Sequence, residues 1–247
     1  MTEPGATILL TGGAGYVGAA TADALLDAGY QVVVLDDFST GHVDTIPNAA
    51  SFRTGSYGDS SRVEQLLHTA RISAVVHCGA KSIVSESAEQ PELYFSVNVQ
   101  ASLNLLEAVR NAGINAFVFS SSAAVYGTQP SGSLSEDLPT APINPYGATK
   151  VAFELALRSF AEAGELRAVA LRYFNVAGST DRVSERHTPE THLVPRLLHA
   201  AQSGEPFELY GADYPTPDGS ALRDYVHVSD VAAANVAAVQ YVLKGST

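Results

Sequence analysis

Ala6-Thr-Ile-Leu-Leu10-Thr11-Gly12-Gly13-Ala14-Gly15-Tyr16-Val17-Gly18 is the stretch on which the fold turns. An apolar run of strand length breaks into glycines spaced Gly12-x-x-Gly15-x-x-Gly18, and a helical pattern from Tyr16 to Ala28 follows, stopped by Gly29. Glycines allow a tight turn and close backbone approach, while the first turn of a helix offers unpaired N–H groups to a phosphate. The spacing differs from the more familiar G-x-G-x-x-G, but the physics is shared. The next apolar run, Gln31-Val-Val-Val-Leu35, ends at Asp36-Asp37. A carboxylate there accepts ribose hydroxyls and repels a 2′-phosphate, which favours NAD over NADP. The blander reading of either aspartate is a loop cap.

Outward from this stretch the pattern repeats. Strands are expected at 51–54, 74–77, 116–119 and 167–171, and helices at 63–69, 92–110 and 145–163. Short apolar strands without alternation, separated by helices, mean a parallel sheet covered on both faces. The expected class is α/β, a Rossmann-type doubly wound parallel sheet, with ligands at the carboxyl ends of its strands. After Asn175 the pattern loosens: a polar loop over 177–190, a helix over 193–202, a turn-rich loop over 210–219 and an alanine-rich helix over 231–243. Residues 1–175 read as a nucleotide-binding domain. Residues 176–247 read as part of a small substrate lobe interleaved with the sheet.

Composition narrows the function classes. A net charge of −12 argues against nucleic acid or an anionic membrane as partner. No apolar run is long enough to span a bilayer, and the first residues lack the pattern of a signal peptide. Cys78 is the single cysteine, so an internal disulfide and a cysteine metal cluster are excluded. A reducing cytoplasm is expected. His187, His192 and His199 invite a metal reading, but no carboxylate or cysteine frame is read around them, and no metal is expected.

Ser120-Ser121-Ser122 closes the 116–119 strand, and Tyr146-Gly-Ala-Thr-Lys150 opens the helix after Pro145. Tyr146 and Lys150 are four apart and share a helix face. An ammonium beside a phenol stabilises phenolate and is expected to lower the tyrosine below its ordinary value of about 10. Tyr146 then serves as a base, with Ser122 hydrogen-bonding the same substrate oxygen. Cys78 and Tyr173-Phe174 also have a plain packing reading.

These stretches, with Leu35-Asp-Asp-Phe-Ser-Thr-Gly41, Glu86-Ser87, Asn98-Val99, Phe119-Ser-Ser-Ser-Ala-Ala-Val-Tyr-Gly127, Asn144-Pro-Tyr-Gly-Ala-Thr-Lys150, Arg172-Tyr-Phe-Asn175 and Asp218-Gly-Ser-Ala-Leu-Arg-Asp-Tyr-Val-His-Val228, resemble the extended short-chain dehydrogenase/reductases. Within them the resemblance is to the UDP-glucose (UDP-galactose) 4-epimerase family, and it covers nearly the whole chain. It implies NAD-dependent epimerisation at C4 of a UDP-hexose through a transient 4-keto sugar. Catalytic roles fall to Ser122, Tyr146 and Lys150. The NAD site is expected at Gly12, Gly15, Tyr16, Val17, Gly18, Asp36, Asp37, Phe38, Ser39, Thr40, Gly41, Ser56, Tyr57, Cys78, Gly79, Ala80, Lys81, Ser82, Asn98, Ser122, Tyr146, Lys150 and Phe174. Ser122, Tyr146, Asn175, His192, Leu193, Tyr210 and Arg223 are expected to face the nucleotide-sugar, with Arg223 alternatively pairing with Asp224 or Asp230. The family also builds a two-fold dimer from the 92–110 and 145–163 helices.

Ser56 stands where that family has an aspartate toward adenine, and Ala124 where it often has a threonine. Family members continue beyond the position of Leu243, which makes the substrate lobe partial. A 4,6-dehydratase shares tyrosine and lysine but needs an acid/base pair after the serine, and Ala123-Ala124 cannot supply one. A decarboxylase, another epimerase or a non-catalytic NAD-binding protein are the remaining alternatives.

Overall fold

The structure, a computed structural model, describes residues 5–129, 133–187, 190–209 and 211–244. Six strands form one parallel sheet: β1 (Thr7–Thr11), β2 (Gln31–Asp36), β3 (Ser51–Thr54), β4 (Ile72–His77), β5 (Ala116–Ser122) and β6 (Arg167–Tyr173), in the order β3-β2-β1-β4-β5-β6. The chain leaves β1 toward β2 and β3, then crosses back to β4 on the other side of β1. That reversal opens a crevice at the carboxyl ends of β1 and β4, where a doubly wound sheet binds its ligand.

Both sheet faces are buried, which is why the strands read as unbroken apolar runs. Leu9 joins Val33, Val75, Phe117 and Phe119 on one face, under α2 (Ser60–Thr69), α5 (Ala101–Asn111) and α6 (Pro145–Glu162). Ile8 and Leu10 join Val34, Val76 and Val118 on the other, under α1 (Tyr16–Asp27) and α8 (Val228–Lys244). Burying each such side chain contributes about 1.5–3 kcal/mol, so alternation within the apolar runs fixes which helix covers which face. Among the described residues no helix is long and apolar enough to cross a membrane.

The stretch expected as one helix over 92–110 is broken into three segments. Helix α4 (Pro91–Phe95) passes into a π-helical turn, Ser96–Gln100, before α5 begins, and a short α3 (Val84–Glu89), not anticipated, precedes them. The wider turn carries Asn98 inward. Its Oδ1 accepts from the Lys81 backbone N–H at 2.8 Å, and its Nδ2 donates to the Lys81 carbonyl at 2.9 Å. A buried amide needs such partners, and the extra residue in the turn supplies the reach.

Beyond β6 the chain forms a two-stranded parallel sheet, β7 (Asn175–Ala177) with β8 (Tyr225–His227), followed by the final helix α8. Three-residue strands carry no readable periodicity, so neither was expected. Helix α7 (Leu193–Ser203) closes on Gly204 in the left-handed conformation that glycine permits.

Candidate active site

The glycine cradle forms between β1 and α1. A Cβ on Gly12 would lie 2.5 Å from the Gly79 backbone nitrogen, and one on Gly18 only 2.1 Å from the Gly12 carbonyl oxygen. These two glycines let the first and fourth crossovers touch and seat α1 against the turn. Gly15 differs: a Cβ there would meet only the Gly12 carbonyl oxygen, at 3.4 Å. It is also the N-cap of α1 and makes no side-chain cap, so the first-turn N–H groups are left for an anion. That open glycine over an uncapped helix start fits a dinucleotide pyrophosphate. Val17 lies in the same first turn, partly buried.

Asp36 ends β2 and is buried. Its two oxygens accept from Ala14 N–H at 2.9 Å and Phe38 N–H at 2.8 Å. Burial raises its pKa while the two backbone hydrogen bonds act downward. The carboxylate thus braces the cradle, and each oxygen retains a lone pair for a ribose hydroxyl. Asp37 accepts from Ser39 N–H at 2.9 Å, the loop-cap role. Phe38 takes a positive φ of 58° and meets Phe52 edge-on at 6.1 Å. Thr40 leads into Gly41, where a Cβ would sit 2.9 Å from Ala14, so the loop rests on the cradle. Ser56 is exposed and its Oγ accepts from Gly58 N–H.

After β4, Cys78 and Gly79 face Gly12. The Ser120 hydroxyl donates to Cys78 Sγ at 3.1 Å, and burial pushes the thiol up to about 11. Ala80 and exposed Ser82 flank Lys81, whose ammonium pairs with Glu86 at 3.3 Å. Tyr57 packs its ring over Gly79 and donates its hydroxyl to the Val97 carbonyl at 2.9 Å. Tyr16, at the start of α1, donates its hydroxyl to the Gly178 carbonyl at 2.5 Å, tying the cradle helix to the loop after β7.

Ser122, Tyr146 and Lys150, the expected catalytic trio, gather at the carboxyl end of β5. Asn144 caps α6 by accepting from Gly147 N–H at 2.8 Å, and Pro145 fits the first turn. A Cβ on Gly147 would fall 2.6 Å from the Ala124 carbonyl oxygen, so only glycine lets α6 start against the turn after Ser122. That close approach brings the Tyr146 phenol beside the Ser122 hydroxyl. Lys150 is buried. Its ammonium donates to the Ser120 carbonyl at 2.8 Å and lies 5.7 Å from the Tyr146 ring centroid.

One expectation is corrected here. Tyr146 is raised above its ordinary value, by burial, and only the neighbouring Ser122 hydroxyl acts downward. The reason is geometric: the Lys150 charge is turned onto the Ser120 carbonyl rather than onto the phenol. Burial in turn brings Lys150 down to about 8.

Two polar networks behind the trio escaped the sequence reading. Glu154, one turn beyond Lys150, forms a two-pronged ion pair with Arg172, Nη2 to Oε2 at 2.6 Å, and also receives the Ser121 hydroxyl. Arg172 additionally donates to the Tyr126 hydroxyl at 3.0 Å. This pair locks α6 to β5 and β6, and an arginine within the β6 run was its only sequence signal. His77 is the second. It is 1% exposed, pairs Nδ1 with Thr11 Oγ1 at 2.6 Å and Nε2 with Ser102 Oγ at 2.8 Å. Burial and nearby Lys150 push it down to about 3, so it stays neutral.

The expected nucleotide-sugar residues are scattered. Asn175 donates from Nδ2 to the Asp224 carbonyl at 2.9 Å. Arg223 is exposed and donates to the Leu222 carbonyl at 2.8 Å; among the described residues it pairs with neither Asp224 nor Asp230. His192 stands at the N-cap position of α7 without a side-chain cap bond, ahead of Leu193, which is 39% exposed. Tyr210 lies outside the described residues. A cavity of about 630 Å³ runs along the β6 edge between α6 and α8, and of the expected site residues only Phe174 lines it. It is therefore separate from the trio.

The metal reading also changes in part. His199 stands apart, beside Glu205 on the surface. His187 and His192 do have a carboxylate frame, since Glu185 and Glu190 join them. Burial works against ionising Glu185, yet the facing His187 and His192 rings hold it down at about 2, and Glu185 brings His192 up to about 9.

The sequence pattern of the NAD dependent epimerase/dehydratase family matches residues 8–247. UDP-glucose 4-epimerase of Corynebacterium glutamicum is 45% identical over 234 residues, 94% of this chain and 70% of that protein. The solved UDP-glucose 4-epimerase from Brucella ovis, in complex with NAD, superposes with a TM-score of 0.92 at 41% identity, covering 97% of this chain and 74% of that one. The Bifidobacterium longum UDP-glucose 4-epimerase, in complex with NAD+ and UDP, gives 0.90 at 31% identity, covering 96% and 74%. With a doubly wound sheet, an open glycine cradle and a serine–tyrosine–lysine trio at the crevice, the chain belongs to the NAD-dependent epimerase/dehydratase family.

Proposed function

We propose that this protein interconverts UDP-glucose and UDP-galactose by NAD-dependent epimerisation at C4. The observation that carries the reading is the gathering of Ser122, Tyr146 and buried Lys150 at the carboxyl end of β5, at the crevice beside the cradle. Bound NAD supplies a hydride acceptor that can return what it takes. Tyr146 Oη removes the proton of the sugar 4-hydroxyl and later gives it back, and Ser122 Oγ hydrogen-bonds the same oxygen. The sugar passes through a 4-keto form and turns over in the pocket between the two transfers. Lys150 holds the nicotinamide ribose, and positive charge brought near the phenol favours phenolate.

The cofactor would lie along Gly12 to Gly18, with its adenosine ribose toward Asp36 and the loop through Gly41. Ser56, Tyr57, the segment Cys78 to Ser82, Asn98 and Phe174 complete its walls. Asn175, His192, Leu193, Tyr210 and Arg223 would receive the UDP-sugar, the guanidinium taking its diphosphate. Residues 1–175 then act as the NAD-binding part and 176–247 as a substrate lobe, interleaved through α8. Exposed Leu155 on α6 and Phe95 on α4 suit a homodimer face. A free, half-buried Cys78 thiol suits a reducing cytoplasm.

Incubation with UDP-galactose and no added reductant tests the reading. UDP-glucose should accumulate without external NAD. A 4-keto-6-deoxy sugar as the product would replace epimerisation by dehydration.

A further inference from the structure

Outside the trio, the densest group of metal-ligating side chains is the run Glu185-x-His187-x-x-Glu190-x-His192, two Glu-x-His units in tandem. One ligand atom from each of the four lies within 4.8 Å of the others. His192 Nδ1 is 2.9 Å from Glu185 Oε1 and 2.8 Å from Glu190 Oε1, and His187 Nδ1 is 3.2 Å from Glu185 Oε1. The Glu185 side chain is only 6% exposed. His187 Nδ1 is buried and, beyond its approach to Glu185, has no hydrogen-bond partner. The two imidazoles meet at 4.8 Å with an interplanar angle of 45°, neither stacked nor edge-on.

We propose that Glu185, His187, Glu190 and His192 form a structural zinc site. Zinc bonds to imidazole nitrogen and carboxylate oxygen are about 2.0–2.2 Å long, so a tetrahedron of such ligands has edges of about 3.3 Å. The three short separations need to open by a few tenths of an ångström, and the widest, up to 4.8 Å, to close by about 1.5 Å. Two carboxylates and two neutral imidazoles sum to the charge that one divalent cation cancels. Two nitrogen ligands favour zinc over magnesium or calcium, which prefer oxygen alone.

The placement gives the cation a task. The segment before the cluster is pinned to the cofactor side: Arg186 pairs with Asp44 at 2.8 Å, and the Arg186 carbonyl lies 3.2 Å from His42 Nε2. The segment after it opens α7 at His192. A zinc ion would join the loop that rests beside the cradle to the start of α7. His192 would then serve as a metal ligand in place of the nucleotide-sugar contact expected of it.

The test is calorimetric titration of the tag-free, chelator-treated chain with zinc chloride, beside the same titration with magnesium chloride. One zinc per chain, with no comparable uptake of magnesium, is the expected result. Zinc should also raise the unfolding midpoint. In Glu185→Gln and His187→Gln, each first checked for folding by circular dichroism, zinc affinity should fall about tenfold or more, the loss typical even of a partner behind a ligand. The midpoint shift should vanish in both. Equal affinity for zinc and magnesium in the parent chain, a titration that requires no variant, overturns the proposal. So does unchanged zinc affinity in both folded variants.

Discussion

Replacing His77 by glutamine isolates one buried titration. In the folded chain His77 is neutral, enclosed by Tyr57, Phe119 and Phe153 and held between Thr11 and Ser102. Its folded value is about 3, against about 6.5 for a histidine in an unfolded chain. A depressed folded pKa means that the unfolded state takes up the proton first. The stabilising contribution is therefore complete above about pH 6.5 and is lost as pH falls toward about 3. Between about pH 7.5 and about pH 5 the two values imply a loss of about 2 kcal/mol from this residue alone. Lys150 remains largely protonated over that range and contributes the same in both proteins. Urea unfolding of the parent and His77→Gln at the two pH values reads the effect directly. Carboxylates and the other histidines titrate in both, so the difference between the proteins should shrink by about 2 kcal/mol on acidification. Parallel losses would refute the burial argument.

Tyr146→Phe should lower conversion of UDP-galactose on the order of 10²- to 10⁴-fold while NAD retention, read by absorbance after gel filtration, stays at the parent level. The glycines should separate by role. Gly18→Ala pushes a Cβ to 2.1 Å from the Gly12 carbonyl and should lower the unfolding midpoint, whereas Gly15→Ala, with its 3.4 Å contact, should keep the fold and lose NAD affinity in a titration. Glu154→Gln leaves the buried Arg172 guanidinium uncompensated and should destabilise the chain by about 3–5 kcal/mol in urea unfolding; the reading fails if the loss is within that of an exposed substitution.

The sheet was legible because its signals are local. Apolar runs at Leu9, Val33, Val75 and Phe117 alternate with helical stretches, and the order of β1 to β6 follows from the handedness and packing rules of parallel crossovers. The cradle was legible for the same reason, since Gly12, Gly15 and Gly18 belong to one turn. The break at Ser96–Gln100 was not, because Asn98 bends the helix to reach Lys81, a partner chosen only once the chain has folded. Nor was the pairing of β7 with β8, whose register joins residues about fifty positions apart.

Sequence alone determined the parallel α/β architecture, the glycine turn and the shared helix face of Tyr146 and Lys150, since periodicity, turn chemistry and helical spacing act over a few residues. Tertiary structure alone decided where charges point. It turned Lys150 onto Ser120, joined Glu154 to Arg172, enclosed His77 and drew Glu185 and Glu190 around His187 and His192. The physical reason is that electrostatics depends on distance and burial, and neither exists until segments far apart in the chain pack against one another.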